Sequence, residues 1–325
     1  MLFRITSALL LCSVAGFSAQ AQSEASSYPK RPVSLIVPTG GGSAPDLLAR
    51  KIGQHLSGTL GQPFVIDNRP GAAGMIGATA VAKSSPDGHT LLMAWDGMMA
   101  INPLLYRQIN YDAQKDFVPI TTLGRVEFIL VAHPSFAPNS LSELIDAAKL
   151  NPGKIDYASA GIGEVHHIAM EAFAAQAGIR LSHVPYKGGP AALNDVMGGH
   201  VPIAFIGLTP ALPLLKSGKL KALASLGPAR SRHLPSVPTV AETLPGYAIQ
   251  GSWLGLFAPS GTPESVVLRL NAEINKFLKN EEFSGFLVSQ GIVPMGSSSA
   301  EFVQLIRDDT ARFRAIIDKV NIRIE

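Results

Sequence analysis

The chain is 325 residues long, with 16% charged and 7% aromatic residues, a single cysteine and a formal net charge of +3. That length exceeds the usual single domain and can bury a large core, so two soluble lobes are expected. Scattered Lys and Arg residues leave no nucleic-acid footprint, and the balance of apolar, Gly and Pro residues suits a globular α/β protein, not a disordered or fibrous chain.

The first residues read as an export signal. Arg4 precedes an apolar run over 5–17, and Ala19-Gln20-Ala21 has the small-x-small form of a signal-peptidase site, which predicts cleavage after Ala21. A membrane anchor is the alternative, but the run falls short of the roughly 20 residues a spanning helix needs. Cys12 lies inside this run and follows Leu11 where a lipoprotein site needs a small residue, so the mature chain is expected to carry no thiol.

After a polar linker over 23–28, short β-branched runs alternate with amphipathic segments, which points to parallel sheets flanked by helices. The first strand, around Ser34-Leu35-Ile36-Val37, breaks on Pro38-Thr39-Gly40-Gly41-Gly42 and restarts as a helix over 45–60. Leu47, Leu48, Ile52 and Leu56 stand at core spacing, Pro45 suits the first helical position and Gly61 a stop. Three glycines without Cβ atoms let backbone N–H groups crowd a ligand, and the helix start adds unpaired N–H groups and its dipole. The turn lacks the Gly-Lys-Ser/Thr ending of a P-loop and the G-x-G-x-x-G spacing of a dinucleotide site, so a small carboxylate is expected, not a nucleotide. Its donors would be the N–H groups of Gly41, Gly42, Ser43 and Ala44 with the Thr39 and Ser43 hydroxyls, and Asp46 stands beside them.

A strand over 64–68 leads through a second glycine-rich turn over 69–77 into a helix ending near Lys83. A strand over 90–95 runs into Asp96-Gly97-Met98. The same grammar then places strands at 128–132, 155–159, 183–185, 202–206 and 220–225, with helices over 140–151, from the 160–167 turn to about 177, from the 186–190 turn to 197, and from the 207–210 turn to about 217. The Pro-rich, basic stretch 227–246 has no period and reads as an irregular connection back to the first lobe. Amphipathic helices over 263–278 and 300–320 read as packing elements. Turns near 40, 97, 161, 188 and 208 all follow strands, where open α/β sheets bind ligands; they converge if two lobes face each other, or else they only connect strands to helices.

Micromolar capture needs about 8 kcal/mol, more than one helix terminus supplies, so a second lobe has to contribute. Ser159, Gly163, Lys187 and Thr209 are the candidates, Lys187 reading equally as a solvated turn residue. His166 and His167 point about 100° apart on a helix and do not chelate a metal; His166 is a candidate ligand contact, a surface or core role being the alternative. Asp46 and Glu164 could face each other as an acid–base pair, but no nucleophile elbow, H-E-x-x-H motif or cofactor signal accompanies them. The chain therefore reads as a binding protein without metal or cofactor, and not as an enzyme.

Several segments together resemble a known family: Tyr28-Pro29-Lys30-Arg31-Pro32-Val33, the 38–46 turn followed by Leu48-Ala49-Arg50, Asp67-Asn68-Arg69-Pro70-Gly71-Ala72, Ser85-Pro86-Asp87-Gly88, Ile101-Asn102-Pro103, Tyr157-Ala158-Ser159-Ala160-Gly161, His183-Val184-Pro185-Tyr186-Lys187-Gly188 and Leu256-Phe257-Ala258-Pro259-Ser260-Gly261-Thr262-Pro263. In this order, over essentially the whole mature chain, they look like the Bug receptors, the solute-binding proteins of tripartite tricarboxylate transporters. The resemblance implies a type II-like periplasmic binding-protein fold: two α/β lobes, one over 28–125 and 250–325 and one over 126–249, closing on a small carboxylate. It implies a periplasmic monomer whose partners are transporter membrane components or, alternatively, a periplasmic sensor domain. It also implies that the 38–46 turn holds one carboxylate through backbone groups and ordered water. Further cleft segments would be 94–98, 159–166, 186–189 and 206–209, which brings in Trp95, Asp96, Met98 and Ile206.

The chain departs from the family pattern at three places. Thr39 and three glycines stand where the family often has two prolines before its glycines, Trp95 and Met98 where it often has small polar residues, and Ile206 where many members have Asp. These departures suggest a broader, more apolar cleft suited to an aromatic or otherwise hydrophobic carboxylate, core packing of Trp95 and Met98 being the alternative.

Overall fold

A computed structural model describes residues 28–322; the export signal, Cys12 and the cleavage point at Ala21 lie outside them. Chain order is β1 (Val33–Val37), α1 (Ala44–Leu60), β2 (Phe64–Asn68), α2 (Met75–Ala82), β3 (Thr90–Trp95), α3 (Asn102–Leu105), β4 (Phe117–Val126), β5 (Phe128–Ala132), α4 (Leu141–Leu150), β6 (Asp156–Ser159), α5 (Val165–Ala177), β7 (Ser182–Pro185), α6 (Gly189–Met197), β8 (Ile203–Gly207), α7 (Leu208–Lys216), β9 (Lys221–Leu226), α8 (Val240–Thr243), β10 (Ser252–Pro259), α9 (Glu264–Leu278), α10 (Glu281–Ser289), β11 (Ile292–Pro294) and α11 (Ser299–Val320). Among the described residues no helix is long and apolar enough to cross a membrane.

Two sheets carry the molecule. The first has six strands in the order β11-β4-β10-β3-β1-β2 and the second five in the order β7-β6-β8-β5-β9. The alternation of strands and helices predicts parallel sheets, and the structure corrects this: both are mixed. β1 pairs parallel with β2 and β3, but β10 runs antiparallel to β3 and β4. In the second sheet β6 is parallel to β7 and β8, whereas β5 is antiparallel to β8 and β9.

The sequence reading passes over β4, β10 and β11 for a physical reason. All eight residues of β10 are buried, so it shows no polar alternation, and Gly255 interrupts its apolar run. The middle of β4 holds Thr121 and Thr122, which are buried because they are bonded: Thr121 Oγ1 donates to Ser297 O at 3.0 Å and Thr122 N–H donates to Ser297 Oγ at 3.1 Å. The irregular stretch before β10 contains only the single turn α8, closed by a Thr239–Glu242 capping box.

The chain passes from the first sheet to the second through Glu127, between β4 and β5, and returns at Gly251. Glu127 N–H donates to Gly291 O at 3.0 Å, its carbonyl accepts from Leu208 N–H at 2.8 Å, and its carboxylate accepts from Ser231 Oγ at 3.2 Å. The return lies alongside, since Ser252 pairs with Val126. Gly251 has φ 96°, and a side chain there would run into the Val126 carbonyl, so the crossing needs glycine on both counts.

β10 sits between β3 and β4 with α11 over it, and at Gly255 the Phe302 ring occupies the space a Cβ would need. Phe302 is fully buried and cannot swing away. Gly255→Ala is expected to lower unfolding stability in urea by about 1–3 kcal/mol through overpacking; the double variant with Phe302→Leu should recover part of that loss.

Candidate ligand cleft

The turn between β1 and α1 is held from inside by Asp46. Ser43 caps α1 by accepting from Asp46 N–H at 3.4 Å, and its hydroxyl lies 2.6 Å from that of Thr39. The Asp46 carboxylate, 1% exposed, turns back into the loop: Oδ2 accepts from Gly42 N–H at 2.8 Å and Arg50 Nε at 3.0 Å, and Oδ1 from Asn68 Nδ2 at 2.9 Å. Asn68 Nδ2 also donates to Thr39 O at 3.1 Å, which ties the turn to the end of β2. Burial pushes the Asp46 carboxyl up, but the bonds from Arg50, Gly42 and Asn68 outweigh it and hold it below its ordinary 3.8. The N–H groups of Gly41 and Ala44 make no hydrogen bond with any described residue. They stand at the positive end of a 17-residue helix, an arrangement that favours an anion.

Two further turns of this lobe lie against the first. A Cβ at Gly77 would meet Pro38 Cγ at 2.8 Å, and one at Gly74 would meet Met98 Sδ at 2.6 Å and Trp95 Cη2 at 3.1 Å. Asn102 Nδ2 donates to Ala73 O at 3.0 Å. Ala72 and Ala73 take φ of 47° and 50°, which costs a non-glycine residue about 1–2 kcal/mol each. The turns after β1, β2 and β3 thus form one continuous face. The turn after β2 carries no candidate in the sequence analysis; its positive-φ residues are Gly71, Ala72, Ala73 and Gly74.

In the second lobe the turns after β6 and β7 meet, Gly188 N–H donating to Ala160 O at 2.9 Å. One contact joins the two lobes here: a Cβ at Gly97 would lie 3.7 Å from Glu164 Oε2 and 2.8 Å from Trp95 Nε1. The turns near 97 and 161 therefore face each other across the lobes. The turn near 208 belongs elsewhere, at the crossing point.

Several candidate residues are engaged within the protein. Asp46 braces its loop and leaves no oxygen for a ligand or for a pairing with Glu164. Gly42 N–H is taken by Asp46. Asp96 is 1% exposed, and its Oδ1 accepts from Gly97 N–H at 2.9 Å and from the Ser252 hydroxyl; burial foremost, with Asp309 nearby, pushes its carboxyl up to about 7 despite those bonds. Met98 and Ile206 are buried in separate apolar clusters. The Ser159 hydroxyl is fully buried between His183 Nε2 at 2.6 Å and the backbone of Gly161. Gly163 N–H donates to His167 Nδ1 at 3.1 Å. The Thr209 hydroxyl donates to Gln290 O beside the crossing.

His166, His167 and His183 pack against aromatic rings, and burial lowers the pKa of each. His167 stacks on His183 with ring centroids 4.0 Å apart, and burial, with His183 beside it, pushes it down to about 3. His166 stacks on Phe128 at 4.7 Å, burial pushes it down to about 4, and its buried Nδ1 has no partner. Lys187 is exposed to solvent. Among the described residues no group of three or more His, Cys, Asp or Glu side chains is placed to hold a metal ion. Thr39, Ser43, Gly41, Ala44, Trp95 and His166 remain as candidates, and Glu164 and Tyr106 join them as partly buried polar groups on the facing surfaces.

A groove of about 450 Å³ opens elsewhere, along the outer edge of the first sheet between Arg31, Val65, Asp67 and His89. Its walls come from the start of β1, from β2 and from the start of β3, and not from the facing turns.

The profile described as "Tripartite tricarboxylate transporter family receptor" matches residues 48–322. Protein BugT of Bordetella pertussis is 33% identical over 319 residues, covering 97% of both chains. Among solved structures, an R. palustris protein determined with adipate is 35% identical with a TM-score of 0.86, covering 91% of this chain and 99% of its own. MatC from Rhodopseudomonas palustris with bound malate is 32% identical with a TM-score of 0.80, covering 89% of this chain and all of its own. The two-lobed, type II-like architecture of periplasmic solute-binding proteins is shared with them.

Asp46→Asn places an amide among donors and removes the charge, so stability at pH 7 should fall by about 1–3 kcal/mol. Because the folded value is depressed, the wild-type advantage is full above the ordinary value of 3.8 and fades as pH falls through the folded value. Urea unfolding of both proteins between pH 2 and 7 measures this; a difference that did not close in acid would assign the cost to something other than the carboxylate.

Proposed function

The chain belongs to the tripartite tricarboxylate transporter receptor family, and on that premise we propose that it captures a small organic acid between its two lobes and delivers it to the membrane components of such a transporter. It acts in the periplasm after export and cleavage at Ala21, as a monomer and without chemical turnover. The observation that carries this reading is the pair of unbonded N–H groups at Gly41 and Ala44, aimed from the start of α1 and kept in place by a buried carboxylate. An anion entering the cleft must exchange water for fixed donors, and these cost no reorganisation at the moment of binding.

Ligands in two neighbours support the class: adipate in one and malate in another, both carboxylates. The charge logic agrees. Asp46 is paired with Arg50 and bonded by Gly42 and Asn68, which offsets the repulsion its charge exerts on an incoming carboxylate at the turn. Micromolar affinity, about 8 kcal/mol, then requires contacts from the facing turns of the second lobe, and lobe closure supplies them. That closed form is what a membrane partner would read. The hydrophobic-acid reading now stands on Trp95 alone, so the class proposed is the small organic acid as such.

Thermal unfolding of the purified chain, refolded from denaturant to strip bound ligand, tests this. A mono- or dicarboxylate at 100 times its dissociation constant should add about 2.7 kcal/mol and raise the midpoint by several degrees. An unmoved midpoint across aliphatic and aromatic mono- and dicarboxylates would overturn the reading.

A further inference from the structure

The cleft holds one acid that anion binding does not use. Glu164 stands immediately before α5, and its carboxylate makes no hydrogen bond or ion pair with any described residue; it does not cap its own helix. Asp46 and Asp96 each have at least two donors, so Glu164 differs from the other acids of the binding lobes' turns. Oε2 and Trp95 Nε1 both stand beside Gly97, 3.7 and 2.8 Å from the point where its Cβ would lie. Gly97 is buried, and its missing side chain lets the Trp95 indole pack directly against it. The Trp95 indole N–H has no partner among the described residues. Nor has the hydroxyl of Tyr106, whose ionisation is pushed up by burial and by the Glu164 charge. Glu164 comes from one lobe, Trp95 and Tyr106 from the other, and none bonds to another.

A partly buried carboxyl without donors is costly, and its cost falls when a ligand brings a donor. Desolvation alone raises this carboxyl to about 7, which shows how little around it stabilises the charge. Beside the ionised form a second ligand carboxylate would add like-charge repulsion, whereas a hydroxyl or amino group would remove the deficit. We propose that Glu164 reads the end of the ligand remote from the α1 turn by accepting a hydrogen bond from a hydroxyl or amino group there, with Trp95 Nε1–H and the Tyr106 hydroxyl bordering that group. The receptor therefore favours a monocarboxylate with a distal donor over a dicarboxylate of the same length. This rests on the receptor reading above and names the ligand class for the same cleft.

Calorimetric titration with matched acids tests it: hexanoate, 6-aminohexanoate and adipate; butyrate, 4-aminobutyrate and succinate; benzoate, 4-hydroxybenzoate and terephthalate. In at least one set the wild-type chain should bind the donor-bearing acid tenfold or more tighter than both the unsubstituted acid and the diacid. Glu164→Leu should erase that preference by weakening the donor-bearing acid alone, and Glu164→Gln, which keeps a carbonyl acceptor, should retain part of it. Cooperative thermal unfolding of both apo variants, with midpoints no lower than that of the wild type, shows that they fold. Equal or tighter binding of the diacid in every set, or equal losses for all acids in Glu164→Leu, overturns the proposal while the receptor reading stands. Absence of binding by every acid to the wild-type chain overturns both.

Discussion

The pairing of β10 with β4 is the constraint on which the rest of the molecule depends. Ser252 is in register with Val126, and Glu127 and Gly251 are the residues through which the chain passes between its sheets, so one ladder fixes where both crossings lie. The two crossings therefore lie side by side at one narrow place. Glu127 is held by Gly291 on one side, by Leu208 on the other and by Ser231 through its carboxylate. The same ladder reaches the cleft: Ser252 donates to Asp96, and Asp96 accepts from Gly97 N–H, so the wall formed by Trp95 and Gly97 is anchored at the crossing.

Buried acids serve as internal braces. Asp46 gathers the first turn, Asp96 joins β3 to β10, and Asp309 accepts from Trp253 Nε1 at 2.7 Å and from Arg312 at 2.7 Å to pin α11 to the first sheet. Each carboxylate is satisfied from within, as buried charge must be. A cleft meant for anions can thus be lined by acids in sequence and yet present backbone N–H groups to its ligand. Glu164 breaks this pattern, and the break is visible only because the others are so fully bonded.

Much of the fold was legible. α1, with its Ser43 cap, Pro45 and the left-handed Gly61 at φ 75°, forms where caps and periodicity place it, because those signals are local. β5, β6, β8 and β9 follow their β-branched or apolar runs within a residue or two for the same reason. The misses are non-local. β10 is covered on both faces, β4 hides two threonines whose partners stand more than 170 residues away, and the left-handed Ala72 and Ala73 hold their turn with Asn102 bonded to it from another element. No window of neighbouring residues contains such information.

The candidate site divides along the same line. The order of residues in the chain by itself determined that a glycine turn opens onto a helix start after β1, and that donors there suit a small anion, because N–H groups and the dipole belong to the local backbone. Which side chains are left for a ligand was decided by tertiary structure. Asp46, Ser159, Gly163 and Thr209 have the chemistry of ligand contacts, yet their bonding capacity is used by Arg50, His183, His167 and Gln290, partners brought near by folding. Glu164 is marked by the reverse: folding brings it against Gly97 and supplies no donor. A residue type states what a group can bond; only its neighbours in space settle what it still has free.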